Sequence, residues 1–502
     1  MTALDRCEGR PGGRDGYWPS SWPAECGGNR RQKAATGRLD AASSSASVVS
    51  RRDDRWNVMF VEREPGQWYL GGTMPAFSGP EPYGWVERLV FGQDGTSLET
   101  LEPEARSPRL PCGSHVWCGS ILAHSNGAIY SVNGSYLHKL HSQDLVVLAE
   151  RRLPVDRSHN GMLALRDGTI VTKDLRLEGQ GGTTLTRLEP DSLELVGEPL
   201  VLPEGSMGRI AADLVEIDGV PTELVYVPGT EHVWRLVVAD HLADGSFESG
   251  AGCGLEVDDR WRPRYRERND RFGLSWDCCL SAGHCWIMDC GDIESVRAIH
   301  GTEPNGRFGA PPGRKLSWRR AAPWPGAQRL IRMSLTDDRD IDAIEPFGTP
   351  GGGIIAPPVH IPQVKPGVDM AIAWDSVNGG LAGIEFSSDR NGQTGGGDAR
   401  AAGRLGRGGR GEMRVAWHLD VRPSMQPVVY PESGELVIND FHVSAAGGPP
   451  SDDLVVVDIA TGALLDRVAT GSRVANGMFL SAAGAGRVLY ASTTAVALVT
   501  WS

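Results

Sequence analysis

One repeating pattern constrains this chain more than any other feature. From about residue 85 onward, a short apolar strand leads to a Gly or Asp-Gly turn, and a second strand ends in a polar cluster. A third strand closes on a basic residue followed by Leu, and a polar turn feeds a fourth. The outer half of the unit is clearest in Tyr136–Pro154 (YLHKLHSQDLVVLAERRLP) and Thr184–Pro203 (TLTRLEPDSLELVGEPLVLP). Leu454–Gly471 and Trp85–Ala105 follow the same plan. Alternation on either side of an Asp, Pro or Gly turn is the signature of a β-hairpin. The inner half starts near Val116, Gly161, Gly208, Leu274, Ile354, Gln426 and Gly477. Fixed supersecondary units at spacings of roughly forty to eighty residues read as propeller blades.

The fold expected is therefore all-β, a single seven-bladed β-propeller over residues 54–502. The repeats begin with an outer half, Trp85–Ala105, and end with an inner half, Asn476–Ser502. Joining the two would complete the seventh blade by N- and C-terminal closure and remove the open sheet edges that make a ring sticky. Residues 1–53 are rich in Gly, Ser, Ala and Arg and carry an SSSAS tract at Ser43–Ser47. Without periodicity they are expected to form a disordered, low-complexity tail. Insertions into the ring are expected at about 251–270, 302–325 and 390–411, the last a flexible, Gly- and Arg-rich loop.

Composition agrees with many tight turns: 65 glycines and 33 prolines leave few runs suited to helix. A net charge of −13, spread along the chain, argues against nucleic acid as a partner. No apolar stretch is long enough to cross a bilayer, and no signal peptide is visible at the start. Nine cysteines, an odd number, suit reduced thiols and a cytoplasmic location. Cys278, Cys279, Cys285 and Cys290, with His284, fall in one strand pair; alternation sends neighbours to opposite faces, which favours buried apolar cysteine over a zinc site.

The starts of first strands and the ends of second strands emerge on one face of a propeller, around the channel mouth, and rigid strands there can carry chemistry. Reading those positions nominates His115 and His159 as general bases. Asn133, Lys173, Arg209, His232, Asp289, Asp375, Gln426 and Asp440 are nominated as substrate contacts. Such a set suits a polar small molecule or a hard cation, calcium or a transition metal. Polar strand ends also cap backbone and bind channel water in propellers of every kind. No nucleophile elbow, zinc-protease motif or phosphate-binding loop is present.

LVVVDIATGALLDRV resembles the repeat of pyrroloquinoline-quinone (PQQ) type propellers, with its Asp and Thr-Gly turn before the outer strand. HNGMLALRDGTIVTKD and ANGMFLSAAGAGRVLYAS resemble the Asn-Gly strand starts of gluconolactonase and strictosidine-synthase-like propellers. By position, the lactonase resemblance implies a divalent cation held by Asn160, Asp174 and Asn476. That group is six-bladed, its glutamate ligand has no counterpart placed here, and Ser492 and Thr493 stand where an aspartate is expected. Three functions follow as expectations. The first is a metal-assisted hydrolase or lactonase acting on a polar small molecule at the channel mouth. The second is a quinone-dependent oxidoreductase. The third is a non-catalytic ring whose face binds a protein partner.

Overall fold

The computed structural model describes residues 16–74, 82–91, 101–114, 117–176, 180–217, 220–239, 252–266, 275, 277–289, 327–348, 359–376, 379–387, 412–442, 449–475 and 477–502. They form eight antiparallel sheets, each a blade of a β-propeller. The first strand, β1 (Ala46–Arg52), belongs to the last blade. Blade one is β2 (Trp56–Glu62), β3 (Gln67–Met74), β4 (Tyr83–Val90) and a split outer edge, β5 (Ala105–Arg106) with β6 (Leu110–Pro111). Blade two is β7 (Cys118–Ala123), β8 (Ile129–Asn133), β9 (Tyr136–Leu140) and β10 (Val147–Arg152). Blade three is β11 (His159–Ala164), β12 (Ile170–Asp174), β13 (Thr184–Leu188) and β14 (Leu200–Val201). Blade four is β15 (Ala211–Ile217), β16 (Val220–Pro228), β17 (Val233–Val238) and β18 (Leu255–Val257). Blade five is β19 (Cys279–Ser281), β20 (His284–Asp289), β21 (Arg329–Ser334) and β22 (Ile341–Ile344). Blade six is β23 (Val359–Lys365), β24 (Val368–Trp374), β25 (Leu381–Ser387) and β26 (Arg414–Leu419). Blade seven is β27 (Val428–Tyr430), β28 (Glu435–His442), β29 (Ser451–Asp458) and β30 (Leu464–Ser472). Blade eight is β31 (Ser481–Ala482), β32 (Arg487–Ala491) and β33 (Ala495–Trp501), completed by β1.

Blades packed face to face bury both sides of their middle strands. β8, β12 and β13 are buried at every position, whereas β10 and β26 on the outside alternate between half-buried and exposed. Apolar side chains between successive blades form the core, as where Leu163, Val171 and Leu185 of blade three pack with Ala212, Val225 and Leu236 of blade four. Among the described residues, no helix is long and apolar enough to cross a membrane.

The ring has eight blades, not the seven expected. The seven inner halves read from sequence fall at blades two to eight, and the missing one is β2–β3. Those two strands are buried almost throughout and do not alternate, and β11 and β12 share that property. The difference is the turn: Asp167-Gly168 marks β11–β12, whereas Arg63–Gly66 lacks an Asn-Gly or Asp-Gly pair, although Gly66 does adopt φ +78°. Trp85–Ala105 therefore joins its own inner strands in blade one and does not close the ring. Closure comes from β1, which runs antiparallel to β33 from Ala46 opposite Trp501 to Arg52 opposite Ala495.

The expectation of a disordered tail is corrected from residue 16 onward, since β1 and the segment before it are parts of the ring. Residues 16–40 pass along the channel and bond to the inner edges of the blades. The Gly16 and Trp18 N–H groups donate to Leu165 and Ala123, the Ala123 N–H to Pro23, and the Glu62 N–H to Trp22. The Ala212 and Leu280 N–H groups donate to Asn29 and Arg30, while Val429 exchanges bonds with Lys33 and Ala35. The Gly486 N–H donates to Arg38. These bonds reach seven of the eight blades. The physical reason is edge satisfaction: an inner strand has free N–H and C=O groups facing the axis, and this segment pairs with them. Trp22 anchors it, fully buried in one core cluster with Phe60, Trp68 and Leu70. Of the expected insertions, 252–266 contains β18, an ordinary blade strand, while 302–325 and 390–411 lie outside the described residues.

Candidate functional site

The inner strand of blade three opens with His159, Asn160 and Gly161. Gly161 adopts φ +66°, and a Cβ there would lie 2.8 Å from the Ile210 nitrogen and 3.0 Å from the Arg209 Cα. The Asn-Gly start thus lets the chain entering blade four come against Asn160. Across β11–β12, Asn160 faces Lys173 and His159 faces Asp174. The Lys173 ammonium donates to Asn160 Oδ1 (2.9 Å) and to the Ser206 carbonyl (3.0 Å), and the Asn160 amide donates to the Met207 carbonyl (2.8 Å). Blade three therefore grips the segment that delivers Arg209.

Arg209 connects the ring to the N-terminal segment. Its Nε lies 3.0 Å from Glu25 Oε2 and its Nη1 3.6 Å from Asp277 Oδ2, and its backbone N–H donates to Asp277 Oδ1 (2.7 Å). The other oxygen of Glu25 takes a bond from Arg31 Nη2 at 2.5 Å, and Arg31 Nε donates to the Ile210 carbonyl. Gln426 Nε2 donates to Asp277 Oδ2 (3.2 Å), and its Oε1 accepts from Cys26 Sγ (2.8 Å). The Arg209 guanidinium also stacks over Phe479, 4.7 Å from the ring centroid. Glu25, Arg31, Lys33, Lys173, Arg209 and Asp277 are each no more than 2% exposed.

Burial at this density moves the titrations. Lys173 is pushed down to about 7, chiefly by loss of solvent; Asp174 and Asp277 counteract this, and Arg209 and Arg31 add to it. Burial would raise Asp277, yet Arg209, Arg31 and the Arg209 N–H outweigh it and hold the carboxyl low. Burial also lowers His159 to about 4; its Nδ1 meets the Arg157 carbonyl at 2.9 Å and its Nε2 has no hydrogen-bond partner. A neutral imidazole of such low basicity accepts a proton poorly at neutral pH.

Of the residues nominated from sequence, Asn160, Lys173, Arg209 and Gln426 come together, with His159 and Asp174 beside them. The rest do not join this cluster. Asn133 packs against Gly84 of blade one and bonds to Ser131. His232 pairs with Glu204, Nδ1 to Oε1 at 2.5 Å. Asp289 pairs with Arg329 at 2.6 Å, and Asp440 accepts from the Arg422 N–H and from Arg467. Asp375 is buried in a turn with Gly379 and Gly380. His115 and Asn476 lie outside the described residues.

The oxygens nominated for a metal already serve cationic side chains. Asn160 Oδ1 accepts from Lys173, while Asp174 takes Arg176 Nε at 2.5 Å and the Thr184 N–H at 2.6 Å. Neighbouring positive charge makes this a poor donor set for a divalent cation. Among the described residues, no group of three or more His, Cys, Asp and Glu side chains is arranged to hold a metal.

Glu25, Cys26, Arg31 and Lys33 were hidden from sequence reading by the composition around them. One signal could have found them. YWPSSWPAEC (Tyr17–Cys26) holds a tyrosine and two tryptophans, and disordered segments are poor in aromatics.

No protein-family model and no curated protein matches the chain. Solved structures that align with it include the WD40 domain of SCAP from fission yeast, 7% identical over 91% of this chain and 98% of that one, with a TM-score of 0.46. The quinohemoprotein alcohol dehydrogenase from Comamonas testosteroni is 9% identical over 95% of this chain and 80% of that one, TM-score 0.40. Chaetomium thermophilum Sqt1, bound to the N-terminus of the ribosomal protein L10, is 11% identical over 93% and 99%, TM-score 0.43.

Proposed function

We propose that this propeller binds a polar small molecule at its channel mouth, where Asn160, Lys173, Arg209, Asp277 and Gln426 meet the N-terminal segment. The observation that supports this reading is the convergence of ionisable and amide side chains from four blades on one buried point. Closing a channel does not require charge, and apolar side chains would close it at lower desolvation cost. Perturbed titratable groups gathered at one place mark functional sites. Arg209, whose Nη2 has no hydrogen-bond partner, would donate to the ligand, with Lys173 adding positive charge beside it and Asn160 and Gln426 holding the surrounding segments in place. The hydrolase version calls for His115 or His159 as a base; His115 lies outside the described residues, and the low basicity of His159 leaves that residue poorly suited to the role. A metal at this point would have to displace Lys173 from Asn160 and Arg176 from Asp174.

The test is thermal unfolding of the full chain against a panel of sugars, nucleosides, lactones and organic acids. A ligand of the native state raises the midpoint by an amount that grows with the logarithm of its concentration over its Kd. The expected result is a shift with at least one class, lost in Lys173→Met. If nothing in the panel shifts the midpoint, the reading fails. A second reading, a ring that binds a protein partner, is supported by Val146, Leu148 and Val201. These aliphatic side chains are 54%, 53% and 62% exposed, on or beside the outer strands of blades two and three. Leu148→Asp with Val201→Asp would abolish partner binding and leave small-molecule shifts untouched.

A further inference from the structure

We infer that the ligand of the channel mouth is a small oxyanion, held jointly by Arg209 of the ring and by Arg31 and Lys33 of the N-terminal segment. This inference rests on the mouth being a binding site and adds the charge of its occupant. Three observations lead to it. The first is charge. Arg31, Lys33, Lys173 and Arg209 stand against Glu25 and Asp277, while Asp174 is matched by Arg176. Among the described residues the buried cluster therefore holds two more cations than anions while Lys173 is protonated, and one more when it is neutral; buried charge without a counterpart is strongly unfavourable. Lys33 bonds to the Arg31 carbonyl and Lys173 to Asn160 and to carbonyls, so neither ammonium meets a carboxylate oxygen in these bonds.

The second is an unused donor. Arg209 Nη2 is buried with no hydrogen-bond partner, although Nε and Nη1 of the same group lie near Glu25 and Asp277. Arg31 flanks the opposite oxygen of Glu25, so two guanidinium groups sit on either side of one carboxylate. Planar forks in this arrangement match the oxygens of phosphate, sulfate or a short carboxylate.

The third is backbone conformation. Cys26, Arg31 and Lys33 adopt φ values of 59°, 56° and 57°, a region that side-chain-bearing residues rarely enter. Left-handed residues persist where the surroundings hold them, and they cluster at ligand clamps. An anion between Arg209 and the segment would provide such a hold and fasten residues 25–33 to the ring.

The experiment is calorimetric titration of the full chain, in low-salt buffer, with inorganic phosphate, sulfate and acetate in turn. Glucose and adenosine serve as neutral probes. Binding of at least one anion is expected, weakened about tenfold or more in Arg209→Lys, which loses the forked donor, and in Lys33→Met. Tryptic cleavage after Arg30, Arg31 and Lys33 should slow when the anion is bound. Lys173 faces Asn160, Asp174, Asp277, Arg209 and Arg31, and loses its charge near pH 7. Wild-type affinity for sulfate, whose own charge is constant over this range, should therefore fall between pH 6 and pH 8, and Lys173→Met should flatten that profile. Anion binding unchanged in both Arg209→Lys and Lys33→Met overturns the inference, as does no anion binding at all. If Arg209→Lys fails to fold, Lys33→Met and the proteolysis decide. A neutral probe that binds where no anion does would keep the mouth as a site and refute its anionic occupant; silence from every probe refutes the anionic occupant, and the thermal panel then decides the mouth itself.

Discussion

Asp452 shows how far burial governs single residues in this ring. Its Oδ1 accepts from Asn439 (2.8 Å) and its Oδ2 from the Tyr490 hydroxyl (2.6 Å), at the seam between blades seven and eight. Burial raises the carboxyl to about 7, the hydrogen bonds from Tyr490 and Asn439 lower it, and Asp440 and Asp453 push it up further. A carboxyl raised on folding contributes stability below its unfolded value near 3.8, and that contribution is lost as pH rises through about 7. Asp452→Asn should therefore stabilise the protein at pH 8, by roughly 2 kcal/mol or more, and change little at pH 3, below the unfolded value. Urea unfolding at the two pH values checks both the size and the sign. Gly161 makes the opposite case, a residue chosen for its lack of a side chain. Gly161→Ala meets both an unfavourable φ and the Arg209 backbone, so about 2 kcal/mol of stability should be lost, with weaker ligand binding. The Asn160-Gly161 pair was legible in sequence as a strand start. That its glycine admits Arg209 was not, because the contact partner is 48 residues away and only the folded blades bring it near.

At the scale of elements, legibility followed the turns as well as the alternation. Outer strands such as β10 alternate and were readable; β11 and β12 are buried throughout but are joined by Asp167-Gly168, whereas the equally buried β2 and β3 have no such pair and were missed. The N-terminal segment was misread for a different reason. Its backbone groups are satisfied by inner strand edges and not by a strand partner of its own, so no periodicity marks it. Its large apolar anchor is Trp22, and Trp22→Ala should cost about 3–5 kcal/mol. Limited proteolysis of that variant should cut within 16–40 while the blades stay intact. Deleting residues 1–53 should do more, because β1 pairs with β33 along seven positions. Such a truncated chain presents a bare β33 edge and is expected to aggregate, whereas a chain lacking only residues 1–40 should remain monomeric. Light scattering separates the two outcomes.

For the molecule as a whole, the ring principle was readable from repeats, and the blade count was not. Seven inner starts and a half-blade at each end fitted a seven-membered ring; one pair of fully buried strands and one serine-rich strand made it eight. The pairing of Ala46 with Trp501 has a consequence for how the protein is made. A ribosome releases β1 among the first elements and β33 among the last, so contacts of such long sequence separation form late and slowly. The amides of residues 46–52 should gain exchange protection only in the slowest refolding phase. Until then, the opening stretch must wait in water beside unfinished blades without sticking to them. A serine-, glycine- and arginine-rich composition is well suited to that wait: the same residues that keep the segment solvated during synthesis lock the circle once the final strand arrives.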